Sequence, residues 1–507
     1  MQYRNPILSG MYPDPSICRV EDDFYLVTST FCYFPGVPIF HSRDLIHWRQ
    51  IGHCLNRDSQ LNLKGKHSAH GIYAPTIRYH EGTFYMVTTL VGEHGGNFYV
   101  TTDDPTGSWS DPVWLEQEGI DPTLYFEDGR VYLLSTGTPS GIYMSEIDLL
   151  TGKCLTTPRL LWGGMGGRYP EGPHLYRIGT YYYLMISEGG TEYAHRLTMA
   201  RSSNLWGPYT PCPHNPIFSH QDHPSSPLQA TGHGDLVMDT RGQWWVVCLA
   251  IRPSAGFPTH HLGRETLLLP AAWDEAGWLV INQGKLAALM MEADTLPAFP
   301  YPDPPSRDTF EGASLDLRWN FIRNPPSASW SLVDHPRRLR LLGQSATLDD
   351  GGSPTFIGQR QSALNCQIRT QFSFLPAHEG EEAGIALYQN EHHHYEFGVT
   401  RRAGERVVFV RQRIGVLSPI TFQHVLAEDS GAAVILRVEA SPLEYRFVYT
   451  LEDGIEHPAG IALTRYLSSE VAGGFTGVFV GMYAISPASE AVTPADFHWF
   501  ELISQDE

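Results

Sequence analysis

Asp14, Asp121 and Glu171 are three carboxylates far apart in the chain, and each stands in or beside the same short pattern. Asp14-Pro15-Ser16-Ile17 recurs as Ala74-Pro75-Thr76-Ile77, Asp121-Pro122-Thr123-Leu124, Gly172-Pro173-His174-Leu175 and, more loosely, His233-Gly234-Asp235-Leu236. Glu171 immediately precedes the fourth block. A lone aspartate in a Pro-rich turn, such as Asp14 between Pro13 and Pro15, usually caps nearby backbone N–H groups. Repetition changes that reading. Acids delivered to one place can divide labour, an ionised one drawing a proton from water and a protonated one giving a proton to a leaving atom.

The elements that would deliver them follow from the spacing. Eleven positions after the first residue of each block stands an aromatic: Tyr25, Tyr85, Tyr132, Tyr183 and Trp244. Between block and aromatic lies a turn such as Glu127-Asp128-Gly129, and after it an apolar run such as Trp244-Trp245-Val246-Val247. Each unit reads as strand, tight turn, strand. Successive blocks lie 60, 47, 51 and 61 residues apart, room for a four-stranded sheet and its loops. Five such units around an axis predict a five-bladed β-propeller. The first strand of each blade lines the central channel, so Asp14, Asp121, Glu171 and His233 should meet at one end of it.

The rest of the chain agrees with an all-β protein. Helical periodicity is nowhere sustained. Phe31 to Phe34 and then Ile39 to Trp48 are expected to close blade one, and blade five to extend to about Asn282. Five prolines between Pro297 and Arg307 mark a stiff linker, dividing residues 1–296 from 308–507. Beyond it, alternating runs such as Gln367 to Phe372 and Tyr395 to Val399 predict antiparallel strands with one wet face, hence a β-sandwich.

Composition narrows the function. A net charge of −20 speaks against nucleic-acid or anionic-membrane partners. No apolar stretch is long enough to span a bilayer. Seven scattered cysteines without a Cys-x-x-Cys pair suit reduced thiols and a cytoplasmic location. The glycine-rich Gly163–Gly167 leads into no helix, so phosphate cradling is not expected. His392-His393-His394 lies in a strand-like stretch and would split its rings between two faces.

Tyr12-Pro13-Asp14-Pro15-Ser16, Asp121, Arg168-Tyr169-Pro170-Glu171-Gly172-Pro173-His174, Gly263-Arg264-Glu265 and the second β domain together resemble glycoside hydrolase family 43 over nearly the whole chain. Within it the resemblance is closest to two-domain β-xylosidases and α-L-arabinofuranosidases. It implies a concanavalin-like sandwich and inverting exo-hydrolysis of β-1,4-xylooligosaccharides. Arabinofuranosides are the alternative substrate, and a non-catalytic carbohydrate-binding propeller is the alternative of another class. By position, Asp14 would be the general base, Asp121 the carboxylate that orients and tunes its neighbours, and Glu171 the general acid. The acid must keep a proton near neutral pH, which burial and a neighbouring charge can achieve.

The same resemblance puts Arg264 on sugar hydroxyls and Phe31, Tyr73 and Thr191 along the sugar pocket. Phe475, between Gly473-Gly474 and Thr476-Gly477, would reach from the sandwich to close the mouth. Tyr73 stands where a Trp is expected and Thr76 where an Asp is expected, which bears on sugar preference. His233 would lie beneath the sugar or ligate a central Ca2+ or other cation, and a core histidine is an equal reading. No cofactor is required, and the resemblance allows a homodimer or homotetramer.

Overall fold

The computed structural model describes residues 2–254, 258–427, 430–487 and 492–505. Five antiparallel sheets of four or five strands form the propeller. Their innermost strands are Ser16–Val20, Thr76–His80, Ile120–Glu127, Glu171–Ile178 and Gln229–Met238. In the first four blades the repeated aromatic pairs across the hairpin with the fourth residue after the block start: Cys18 with Tyr25, Arg78 with Tyr85, Tyr125 with Tyr132, Tyr176 with Tyr183. In the fifth, Trp244 pairs with Met238, because the turn closed by Asp239 and Gln243 is one residue longer than those of the other hairpins.

Those irregularities aim the side chains. Asp14, Asp121 and His233 have φ of 56°, 55° and 45°, and Gly172 has 57°. The inner strands of blades three and four also shift register at this point. A bulge with one left-handed residue turns the following segment, and aspartate tolerates that conformation better than most side chains. Ala74 is not among the positive-φ residues, and it carries no acid.

The ring is clasped by its N-terminus. Gln2–Arg4 pairs with Met290–Glu292, and Asn5 exchanges side-chain hydrogen bonds with both backbone groups of Leu268 in blade five. Beneath the channel, buried Asp235 accepts from Ser16 Oγ (2.7 Å), Arg78 Nη1 (2.8 Å) and Tyr176 OH (2.6 Å), tying blades one, two, four and five. Burial alone would raise this carboxyl, but Arg78 and its hydrogen bonds hold it far below the usual range. Its contribution to stability is present above the unfolded carboxylate pKa and is lost as pH falls through the depressed folded value. Asp235→Ala leaves the part-buried Arg78 guanidinium without its carboxylate and is expected to cost about 3 kcal/mol, read as a lowered denaturant midpoint at pH 7.

Two eight-stranded sheets make the second domain. Tyr33–Phe34 does not close blade one: it pairs with Asn320–Ile322 at the edge of a sandwich sheet. Both residues are apolar and buried, and the hydrogen bonds that an outer blade edge would have left in water are made to the other domain. Of the proline-rich segment, Phe299 and Tyr301 lie along blade one. The Phe299 N–H donates to Asp44 Oδ2 at 2.7 Å, and Arg43 and Arg49 cover the two rings. All seven cysteines are free. Among the described residues no helix is long and apolar enough to cross a membrane.

Candidate active site

A cavity of about 690 Å³ opens at the end of the channel where the left-handed residues converge. Its lining includes every candidate side chain: Asp14, Asp121, Glu171 and His233 from the inner strands or their approaches, with Phe31, Tyr73, Thr191, Arg264 and Phe475.

Asp14 is held from two sides. Ser29 Oγ donates to Oδ2 at 2.5 Å and Arg264 Nη1 to Oδ1 at 2.8 Å, while His233 Nδ1 lies 3.8 Å from Oδ1. Burial would push this carboxyl up; Arg264, His233 and the Ser29 hydroxyl outweigh it and keep Asp14 below the usual carboxylate range. It is therefore ionised at neutral pH, as a proton acceptor must be.

Asp121 has the opposite environment. Its partner is the Gly172 N–H, which donates to Oδ2 at 3.1 Å. Burial, then the charges of Glu171 and Asp14, raise it well above the usual range. Asp121 is thereby pushed toward its neutral, protonated form in the company of two other carboxyls. Glu171 is the most open of the three acids, its side chain 16% exposed.

Arg264 joins the two domains at the site. Nη1 also donates to Thr191 Oγ1 at 3.0 Å and Nη2 to the Phe475 carbonyl at 3.3 Å, leaving buried Nε unpartnered. The loop carrying Phe475 approaches backbone to backbone. A Cβ on Gly477 would lie 2.3 Å from the Leu262 carbonyl oxygen, and Gly263 adopts φ +86° beside it. Gln389 and Thr476 fasten this loop to the sandwich through two hydrogen bonds. The Phe475 ring stacks on Phe31 at 5.8 Å, and Tyr73 meets both rings edgewise or tilted. Three aromatic rings and a guanidinium thus wall one half of the cavity.

Sequence reasoning passed over several neighbours. Buried His195 sits with Nε2 3.4 Å from Glu171 Oε1 and Nδ1 3.3 Å from the Ala230 carbonyl, and Gly232 makes room for its ring. Ser29 had no motif to announce it. Tyr169 and Glu192 also line the cavity; the adjacency of Tyr169 to Pro170-Glu171 was the available signal. His392, His393 and His394 lie outside this cavity, and His394 Nε2 pairs with Asp349 at 3.1 Å. Among the described residues no group of three or more His, Cys, Asp or Glu side chains is spaced to hold a metal, and the carboxylate next to His233 is that of Asp14.

Comparison with known proteins follows the same division of the chain. Residues 3–279 match the family model of glycosyl hydrolases family 43, and residues 307–502 match that of the beta xylosidase C-terminal concanavalin A-like domain. The chain is 45% identical to a non-reducing end alpha-L-arabinofuranosidase of Bacteroides ovatus, over 98% of this chain and 94% of that one. It is 33% identical to a beta-xylosidase of Bacillus subtilis, over 99% of both. Among solved structures, the family 43 protein of a B. ovatus xyloglucan locus superposes with a TM-score of 0.96 at 44% identity, covering 99% of this chain and all of that one. A xylan beta-1,4-xylosidase from Bacillus halodurans gives 0.93 at 34%, with the same coverage. The chain belongs to glycosyl hydrolases family 43, with a five-bladed catalytic-type propeller followed by that family's concanavalin A-like domain.

Proposed function

We propose that the protein is an inverting exo-glycosidase that releases xylose from the non-reducing end of β-1,4-xylooligosaccharides. The observation that carries the reading is the contrast between two buried carboxyls in one cavity, Asp14 pulled toward its ionised form and Asp121 pushed toward its protonated form, with Glu171 beside them. Asp14 takes a proton from water as its oxygen attacks the anomeric carbon; Glu171 gives a proton to the departing oxygen as the C–O bond breaks. Asp121 keeps a proton in the site between turnovers. Arg264 Nε and the aromatic wall bind a single terminal sugar, and the Phe475 loop blocks a longer chain from running through, which favours exo attack.

Release of arabinose from α-L-arabinofuranosides is a second reading, favoured by the 45% identity to the B. ovatus arabinofuranosidase. Initial rates on 4-nitrophenyl β-D-xylopyranoside and 4-nitrophenyl α-L-arabinofuranoside, side by side, test the pair. Faster xyloside cleavage, with α-xylose as the first anomer seen by proton NMR, supports the main reading; faster arabinoside cleavage transfers it to the second. Hydrolysis of neither defeats both and brings forward a carbohydrate-binding propeller.

Asp121→Asn is expected to lower kcat on xylobiose by about 10²-fold and to move the alkaline limb of the pH–rate profile to lower pH, since its carboxyl no longer helps hold the proton. Unchanged rates on such a poor leaving group would remove Asp121 from the mechanism. The three carboxyls supply the whole reaction without a cofactor, so activity is expected to survive dialysis against EDTA.

A further inference from the structure

The two halves of the cavity differ in character. Asp14, Arg264 and the rings of Phe31, Tyr73 and Phe475 make the half that takes the terminal sugar. Glu171 stands at the other side of the scissile bond on the proposed reading, so whatever lies past it meets the leaving group. Tyr169 stands two residues before Glu171 in the chain. It lines the cavity, is 61% exposed, and has φ 52°. A bulky non-glycine residue in the left-handed region is an outlier, and such strain gathers at functional sites.

The ring is also held in place. Gly190 lies against it so closely that a Cβ there would come within 3.2 Å of Cδ2. The Arg168 guanidinium sits 5.6 Å from the ring centroid, and its Nη2 donates to Glu192 Oε2 at 2.7 Å. Arg168 and Glu192 are 59% and 69% exposed, where an ion pair adds little stability, and Glu192 lines the cavity too. An exposed ring backed by a glycine and flanked by a donor and an acceptor suits a pyranose, which offers a C–H face to the ring and hydroxyls to the charges.

We propose that Tyr169, flanked by the Arg168–Glu192 pair, is the platform for the first sugar of the leaving group, making the enzyme selective for bonds whose departing alcohol is itself a pyranose. The inference rests on the glycosidase reading above and deepens it. Tyr169 acts on selectivity and takes no part in proton transfer.

The test compares two substrates with the same terminal sugar, xylobiose and trifluoroethyl β-D-xylopyranoside, whose departing alcohol carries no ring; if the wild type prefers arabinofuranosides, the corresponding α-L-arabinofuranoside pair is used. Tyr169→Ala is expected to lose about 10-fold in kcat/KM on the disaccharide and less than about twofold on the trifluoroethyl glycoside, and Tyr169→Phe to restore the disaccharide rate. Equal losses on both substrates would mean that the ring serves the terminal-sugar half or the fold, and would overturn the proposal, as would no loss on either. A wild-type chain inert on all four glycosides defeats the glycosidase reading, and this inference with it.

Discussion

Glu171→Ala is expected to lower kcat/KM on xylobiose by about 10³- to 10⁴-fold, while cleavage of 4-nitrophenyl β-D-xylopyranoside falls far less. The difference arises in the transition state. A sugar alkoxide is a poor leaving group and departs only as a proton reaches it; 4-nitrophenolate is stable enough to leave without one. The same variant should lose the alkaline limb of its pH–rate profile on the aryl substrate, because no proton donor is then required. Glu171 is partly exposed and its ion-pair contact with His195 is 3.4 Å long, so the substitution breaks no short ion pair. A fall of equal size on both substrates would mean that Glu171 binds or positions sugar instead of donating a proton.

Asp14→Ala should be more severe and should show two separate losses. Activity is expected to drop by at least about 10⁴-fold on both substrates, since water activation is needed whatever the leaving group. Stability should fall as well, by about 3–5 kcal/mol, because the Arg264 guanidinium, itself buried, loses its carboxylate. The double variant Asp14→Ala with Arg264→Ala separates the two effects: it is expected to recover part of the stability and none of the activity. In the wild type, the stability contributed by ionised Asp14 is present above the unfolded carboxylate pKa and disappears as pH falls through its lowered folded value. Urea midpoints of the single and double variants at pH 7 measure the first effect. Asp14→Ala retaining aryl-glycosidase activity would overturn the base assignment.

Much of the site is legible in the chain because a propeller repeats. Equal intervals from Asp14 to Tyr25 and from Asp121 to Tyr132 fold into equal hairpins, so residues at equal places must face one axis. That argument does not depend on knowing any contact. It fails where a local segment is captured by a distant one. Tyr33–Phe34 looks like the end of a blade, but its pairing partner is Asn320–Ile322, and no local pattern announces a partner so far along the chain. His195 and Ser29 are missed for a different reason: each meets an acid of its own blade, Glu171 for the first and Asp14 for the second, across a turn that no motif marks.

From the chain alone follow an all-β class, five similar units ahead of a proline-rich segment and a second β domain, and the meeting of three acids and a histidine at one end of one channel. Periodicity and spacing are local properties, and they survive without coordinates. Only the tertiary structure decided how the acids differ. Asp14 and Asp121 occupy equivalent blade positions with nearly the same φ, yet one is pulled down by Arg264 and Ser29 and the other is pushed up by burial and two carboxyl neighbours. Proton affinity depends on what surrounds a group in space, and here those surroundings are assembled from residues hundreds of positions apart, including a phenylalanine lent by the second domain.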